Sequence, residues 1–241
     1  MNKSVLHFLF FLVSHSLIHA EIKLPNVIGP NMVLQCDMPV PIWGSGEAGE
    51  QVSVSFAGQT KLATADERGN WMVKLGPLEA NASPSVLVVQ GKNRIELENI
   101  LVGEAWICSG QSNMEWEVAQ CANPQEEINA ANYPNIRLFD VPGHTVHRIP
   151  QRTGNGEWKV CSPESVASFS ATGYYFGRRL HDEIKVPIGL ISSNWGGTRI
   201  EPWTTLAGFK SRPELSEIAR SVEGYNENTP IRHVTPTAIY N

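Results

Sequence analysis

The hydrophobic pattern changes character once, near Gly103, and no other feature narrows the possible folds as much. From about residue 22 to 101 the chain is a series of short β-like runs, MVLQ, VPIWG, QVSVSFAG, TKLATA, NWMVKL, SVLVVQG and RIELENILVG, divided by turn residues. QVSVSF alternates polar and apolar positions, as a strand with one buried face does, and no 3.6-residue period appears anywhere in this span. ADERGN reads as a hairpin turn between two of the strands. A small antiparallel β-sandwich is the predicted outcome.

Beyond Gly103, strand-like and helix-like segments alternate. EAWICSG, NIRLFDV and VPIGLISSN read as strands, while NPQEEINAAN, SPESVASFSATGYYFGRRLHDEI and SRPELSEIARSVEGY read as helices. Such alternation implies βαβ units and a mostly parallel sheet. The reading therefore divides the chain into an all-β sandwich over 21–102 and an α/β domain over 103–241. A doubly wound sheet usually has roughly five or six strands, and about three are visible. The second domain is expected to be incomplete at the C-terminus, as a fragment or a truncated product.

The first twenty residues, MNKSVLHFLFFLVSHSLIHA, combine Lys3, an apolar stretch from Val5 to Val13 and a small residue at Ala20. That is a signal-peptide pattern, too short for a comfortable membrane span, so residues 1–20 are predicted to be removed and the mature chain to be exported. A buried N-terminal helix is the alternative. The 241 residues carry a formal charge of -5. That balance argues against nucleic acid as a partner, since gripping a phosphate backbone needs a net basic face. Export permits disulfides, and Cys36, Cys108, Cys121 and Cys161 allow three pairings or none. No pair has CxxC spacing, which gives metal binding little support.

The apolar run ILVGEAWI leads straight into CSGQSNMEW, residues 108–116. A strand that stops at a sharp turn into a helix lifts one side chain to the sheet edge, and here that side chain is Ser112. A serine hydroxyl needs a base within reach and donors for the oxyanion formed when it attacks a carbonyl. Serine is also a preferred helix N-cap, the ordinary role at such a position. Met114 stands where an α/β-hydrolase elbow requires glycine, which weighs against a lipase or peptidase on that scaffold. SSNWGGTRIEPW, residues 192–203, follows another buried strand. Its paired glycines Gly196 and Gly197 can aim an amide at an oxyanion or form a plain tight turn. Trp195 and Trp203 beside them offer faces for a sugar ring, or core packing. The histidines of the mature chain, His144, His147, His181 and His233, lie in no DxxH arrangement and are expected to face solvent rather than act as a base.

GEAWICSGQSNMEW, VPIGLISSNWGGTRIEPW and the final PTAIYN, together with NMVLQ and VPIWGSGEAGEQVSVSF in the β-module, resemble the sialate O-acetylesterase family of the SGNH hydrolase superfamily over essentially the whole mature chain. The resemblance implies a three-layer, flavodoxin-like parallel α/β fold of the SGNH-hydrolase type for the second domain. It implies that Ser112 is the nucleophile, that its own amide and one from Gly196 or Gly197 form the oxyanion hole, with Gly197 favoured, and that Gln111 and Asn113 hold the turn or the acetyl group. Trp195 joins this substrate-binding set. The family also carries a later QGE segment and a later aspartate–histidine pair, and neither occurs here. The implied activity is hydrolysis of O-acetyl esters on sugars or glycans through an acyl-serine intermediate, weak or lost in this chain by itself. The alternative is a secreted, non-catalytic carbohydrate-binding or scaffold protein.

Overall fold

A computed structural model describes residues 21–239 except Arg148 and Glu227, so the predicted signal peptide lies outside the described residues. The first strands are β1 Val33–Gln35, β2 Val40–Ser45, β3 Gln51–Phe56, β4 Gln59–Thr64, β5 Asn70–Leu75, β6 Asn81–Gln90 and the 17-residue β7 Arg94–Gly110. Then come α1 Ser112–Glu115, α2 Pro124–Ala130, β8 Tyr133–Asp140, β9 Trp158–Cys161, α3 Pro163–Val166, α4 Ala171–Ile184, β10 Ile188–Asn194, α5 Leu206–Lys210 and α6 Ser216–Glu223.

The alternating residues predicted to face a β-core do so: Val52, Val54, Leu75, Leu87 and Val89 are fully buried in one cluster with Ile42 and Ile100. Their strands form two sheets. β2 pairs antiparallel with β5, and the larger sheet runs β4-β3-β6-β7-β10-β8-β9, with β1 alongside β7. β7, β10 and β8 are parallel, as the alternation after Gly103 required. The boundary expected at residues 100–104 falls inside β7, which runs unbroken from the β-region into the parallel region and makes one sheet of both.

Three expectations change. ADERGN joins β4 to β5 without pairing them, because β5 belongs to the other sheet. Asp66 closes this crossover by accepting from the amides of Arg68 at 2.9 Å and Asn70 at 2.8 Å. The long helix predicted from residue 162 to 184 breaks into α3 and α4, because Ser170 caps α4 by accepting from the Gly173 amide at 3.1 Å. Helices also cover the parallel strands on one face, where Leu138, Ile188 and Leu190 meet Val166, Phe169 and Tyr174. On the other face Phe139, Trp158 and Ile191 join the β-core instead. All four cysteines are free. Burial pushes the Cys108 thiol up to about 11 and that of Cys161 to about 12. Among the described residues no helix is long and apolar enough to cross a membrane.

Candidate active site

β7 and β10 run side by side with Asn194 opposite Gly110, so the segments that leave them emerge at the same end of the sheet. The Trp195 amide donates to the Gly110 carbonyl at 3.0 Å and fixes the start of the second segment against the end of the first. After Gly110 the chain turns at Gln111, and Ser112 is the first residue of α1. Gln111 occupies the cap position without a side-chain cap bond, so the ordinary capping role for Ser112 is overturned. The Gln111 carbonyl instead accepts from the amides of Met114 and Glu115, at 2.8 and 3.0 Å. Asn194 Nδ2 donates to the Met114 carbonyl at 3.3 Å, and Thr172 Oγ1 donates to the Asn113 carbonyl at 2.8 Å. The corner is thereby held from both β10 and α4.

Ser112 is exposed, and its hydroxyl has no hydrogen-bond partner among the described residues. A Cβ placed on Gly196 would overlap Glu115 Oε2 and would lie in ordinary contact, 3.4 Å, with Ser112 Oγ, so the loop passes beside the hydroxyl and glycine there makes room for the Glu115 carboxylate. Gly197 has φ +75°, the left-handed region that glycine enters without strain, and open space surrounds it. Among the described residues the amides of Ser112, Asn113 and Gly197 are unbonded. The amide of Gly196 is not. It donates to Glu115 Oε2 at 2.6 Å, while the other oxygen, Oε1, lies 2.6 Å from His144 Nε2. His144 is exposed, as expected, and it also stacks on Trp195, centroids 4.5 Å apart at 11°. His233 approaches the same indole at 5.5 Å.

A cleft of about 240 Å³ opens between the end of β7 and the segment after the glycines, lined by Ser109, Gly110, Gln111, Thr198, Arg199, Ile200 and Trp203. Trp203 Nε1 donates to Thr198 Oγ1 at 2.9 Å, and that hydroxyl donates to the Trp195 carbonyl at 2.7 Å. Asp140 ends β8 at the same level of the sheet. Asp140 is exposed, yet its carboxyl is held above the usual range, chiefly by partial desolvation against the neighbouring protein, against the opposing effects of Ser192, Lys159 and His144. No group of three or more metal-ligating side chains occurs among the described residues.

No family model matches the chain. It is 31% identical to the sialate O-acetylesterase of Homo sapiens over 78% of its own length and 40% of that protein. It is 29% identical to the Rattus norvegicus enzyme of the same name over 89% of its length and 45% of that protein. The solved structure of a carbohydrate acetylesterase from Xanthomonas citri superposes with a TM-score of 0.78 at 34% identity, covering 91% of this chain and 46% of that one. The chain belongs to the sialate O-acetylesterase family. It spans less than half the length of these relatives.

Of the residues proposed from sequence, the fold of this sialate O-acetylesterase family member gathers Ser112, Gln111, Asn113, Trp195, Gly196 and Gly197 at one sheet end. It separates His181, whose Nδ1 lies 2.8 Å from the Val186 carbonyl at the far end of α4. Glu115 was not singled out, and His144 was named only to be set aside as solvent-facing. The motif GQSNME placed Glu115 one helical turn from Ser112, on the same face, and that spacing was the available signal.

Proposed function

We propose that this chain carries the nucleophile of a carbohydrate esterase that removes O-acetyl groups from sugars through an acyl-Ser112 intermediate. Ser112 Oγ attacks the acetyl carbonyl carbon, and the hydroxyl proton leaves with the sugar alcohol. Water then attacks the acyl-serine, freeing acetate and restoring the hydroxyl. Negative charge on the carbonyl oxygen during each attack falls to the unbonded amides of Ser112 and Gly197. The Gly196 amide, already bonded to Glu115, serves the loop. The step as written uses no metal or organic cofactor.

The single observation that carries this reading is an exposed, unbonded Ser112 hydroxyl 3.4 Å from where a Gly196 Cβ would stand, next in the chain to Gln111, which lines a cleft. Trp203 in that cleft is the better face for a sugar ring, since His144 already lies on Trp195. The same Ser112 hydroxyl lacks a base among the described residues. A triad serine without its base loses several orders of magnitude in rate, so this chain alone is assigned weak or absent activity. Residues 1–20 support export to a secreted, periplasmic or lumenal location. The fold class fits an SGNH-type esterase with a β-module ahead of it, and acetylated sugars or glycans are the assigned partners.

The test is acetate release from an O-acetylated sialic acid and from p-nitrophenyl acetate, with Ser112→Ala as control. A slow release that falls to the buffer rate in Ser112→Ala is expected. A release rate that Ser112→Ala leaves unchanged sinks the reading. The missing base favours a second reading, a carbohydrate-binding protein without catalysis. Retention on an acetylated glycan column with no acetate released, by this chain or by its assembly with the rest of a relative's length, would select it.

A further inference from the structure

A second cavity lies on the other side of β10 from β7. It has a volume of about 390 Å³, within the range of sites that hold small molecules, and opens between the ends of β8 and β9 and the turn that joins α3 to α4. Leu138 and Phe169, both buried, line it, and Asp140, Lys159 and Ser168 stand around it. Gly156 shapes the rim. Its φ is +127°, and a Cβ there would come 2.6 Å from the Asp140 carbonyl oxygen and 2.7 Å from the Phe139 ring, so glycine is what lets the segment entering β9 close against the end of β8.

The polar groups around the cavity are held in place. Asp140 follows Leu138 by two positions and so shares its face of the strand. Ser192, buried on the neighbouring β10, accepts from Asn194 Nδ2 at 2.7 Å and hydrogen-bonds the Asp140 carboxyl. Lys159 stands opposite Leu138 across the β8–β9 pair, its ammonium 3.2 Å from the Glu157 carboxylate. The Ser168 hydroxyl has no partner among the described residues. A carboxylate, an ammonium and a hydroxyl beside apolar surface match a neutral polyol, since sugar hydroxyls both donate and accept and the ring offers an apolar C–H face. An anion fits poorly, because Asp140 and Glu157 outnumber Lys159.

The cavity is also tied to the corner that carries Ser112. Just beyond α1, the amides of Val118 and Ala119 donate to the carbonyls of Phe169 and Ala167 at 3.1 and 2.9 Å. β8 and β7 flank β10, so Asp140 lies about 10 Å across the sheet from the strand that delivers Ser112. We propose that this cavity is a second sugar subsite, taking an unacetylated ring of an oligosaccharide whose acetylated ring lies at Ser112. Ring hydroxyls donate to Asp140 and accept from Lys159 and Ser168. The inference deepens the esterase reading and rests on it for the place of the acetylated ring. It assigns an oligosaccharide as the substrate, with at least one sugar beyond the one deacetylated, rather than a free monosaccharide.

The test is titration of this chain with sialyllactose and with xylotetraose, each set against its terminal monosaccharide, followed by calorimetry and amide NMR. At least one of the two should bind about tenfold more tightly than its monosaccharide and shift the amides of Gly156, Lys159 and Ser168. Asp140→Ala should remove that advantage, as loss of a hydrogen bond to a charged group does, and Ser168→Ala, at an exposed position, should reduce it about threefold. Both variants are checked for folding by circular dichroism. Equal affinity for oligosaccharide and monosaccharide with both probes overturns the proposal. So do shifts confined to the Trp203 cleft, or an advantage that Asp140→Ala leaves intact. Acetate release tells the two readings apart. Oligosaccharide binding in the cavity with no Ser112-dependent acetate release keeps the subsite and removes the chemistry, whereas Ser112-dependent release with an undisturbed cavity keeps the chemistry and removes the subsite.

Discussion

The two ends of β7 meet different surroundings although one unbroken strand makes both. At Leu101–Gly103 the strand has β6 on one side and β1 on the other, and Ile100, Leu101 and Val102 are buried. At Ala105–Ser109 it has β10 on one side only, and Trp106 and Ile107 are exposed. The apolar text is nearly continuous across both, so hydrophobicity alone does not decide burial. What decides it is whether a neighbour is present to cover the face. The largest test of that contrast is a matched pair of truncations. Ile100→Ala should cost about 2–5 kcal/mol, as emptied core sites do. Ile107→Ala should stay within about 0.5 kcal/mol, as exposed sites do. Urea unfolding of both variants measures this. An equal loss at the two positions would break the comparison by showing that Ile107 is covered in solution.

The next effect concerns what binds the two regions together. Arg137 in β8 is 3% exposed and donates to the carbonyls of Pro134, Asn31 and Asn99 at 3.0, 3.2 and 3.3 Å, and to Asn99 Oδ1 at 3.1 Å. Burial pushes its guanidinium below the ordinary value, yet every acceptor around it is neutral. Asn31 and Asn99 both have left-handed backbones, with φ 66° and 60°, so the cation fastens a turn before β1 and an irregular point within β7 to a strand of the parallel region. Arg137→Met keeps the stem and removes the donors. A loss of about 1–3 kcal/mol in unfolding free energy is expected from the acceptors left unpaired. An unchanged stability would mean that the regions hold together without it.

These contrasts also mark what was legible in the sequence. The β-region was readable because QVSVSF and NWMVKL alternate with the period of a half-buried strand, and the structure buries the alternating set. The corner at Ser112 was readable because an apolar run stops abruptly at SGQS. Arg137 was not, for a lone arginine in a strand looks the same whether it faces solvent or a carbonyl cage. His144 was not either, because its partners Glu115 and Trp195 stand 29 and 51 positions away and only the fold unites them. The continuity of β7 was hidden by the change of period at Gly103, which marks a change in neighbours and not a break in the strand.

A smaller effect is expected at the loop junction. Glu115 links α1 to the glycine loop through Gly196 and to the segment after β8 through His144, with about a third of its side chain exposed. Glu115→Gln keeps an oxygen for the Gly196 amide. Glu115→Ala does not, and it should lower stability by about 1 kcal/mol, near the usual net value of a hydrogen bond. The Gly196 amide proton, followed by NMR, should move upfield in Glu115→Ala and remain closer to its original position in Glu115→Gln. If both variants leave that resonance in place, the carboxylate does not hold the loop.

The smallest effect is the most discriminating, because it carries opposite signs in the two regions. Asp66, in the crossover between β4 and β5, accepts from the backbone amides of Asn70 and Arg68, and these hold its carboxyl below 3.8. Asp140, at the end of β8, is held above 3.8 by withdrawal from water. A depressed folded value means that Asp66 contributes stability above 3.8, which is lost as pH falls through the lower folded value. A raised folded value means that the folded protein binds the Asp140 proton more tightly than the unfolded chain does. Stability from this group is therefore present below 3.8 and is lost as pH climbs through the higher folded value. Denaturation midpoints at pH 3 and pH 7 should show Asp66→Asn falling behind the parent at pH 7, and Asp140→Asn gaining on it at pH 7. Parallel shifts of the two variants would mean that the Asp140 carboxyl is no more desolvated than that of Asp66.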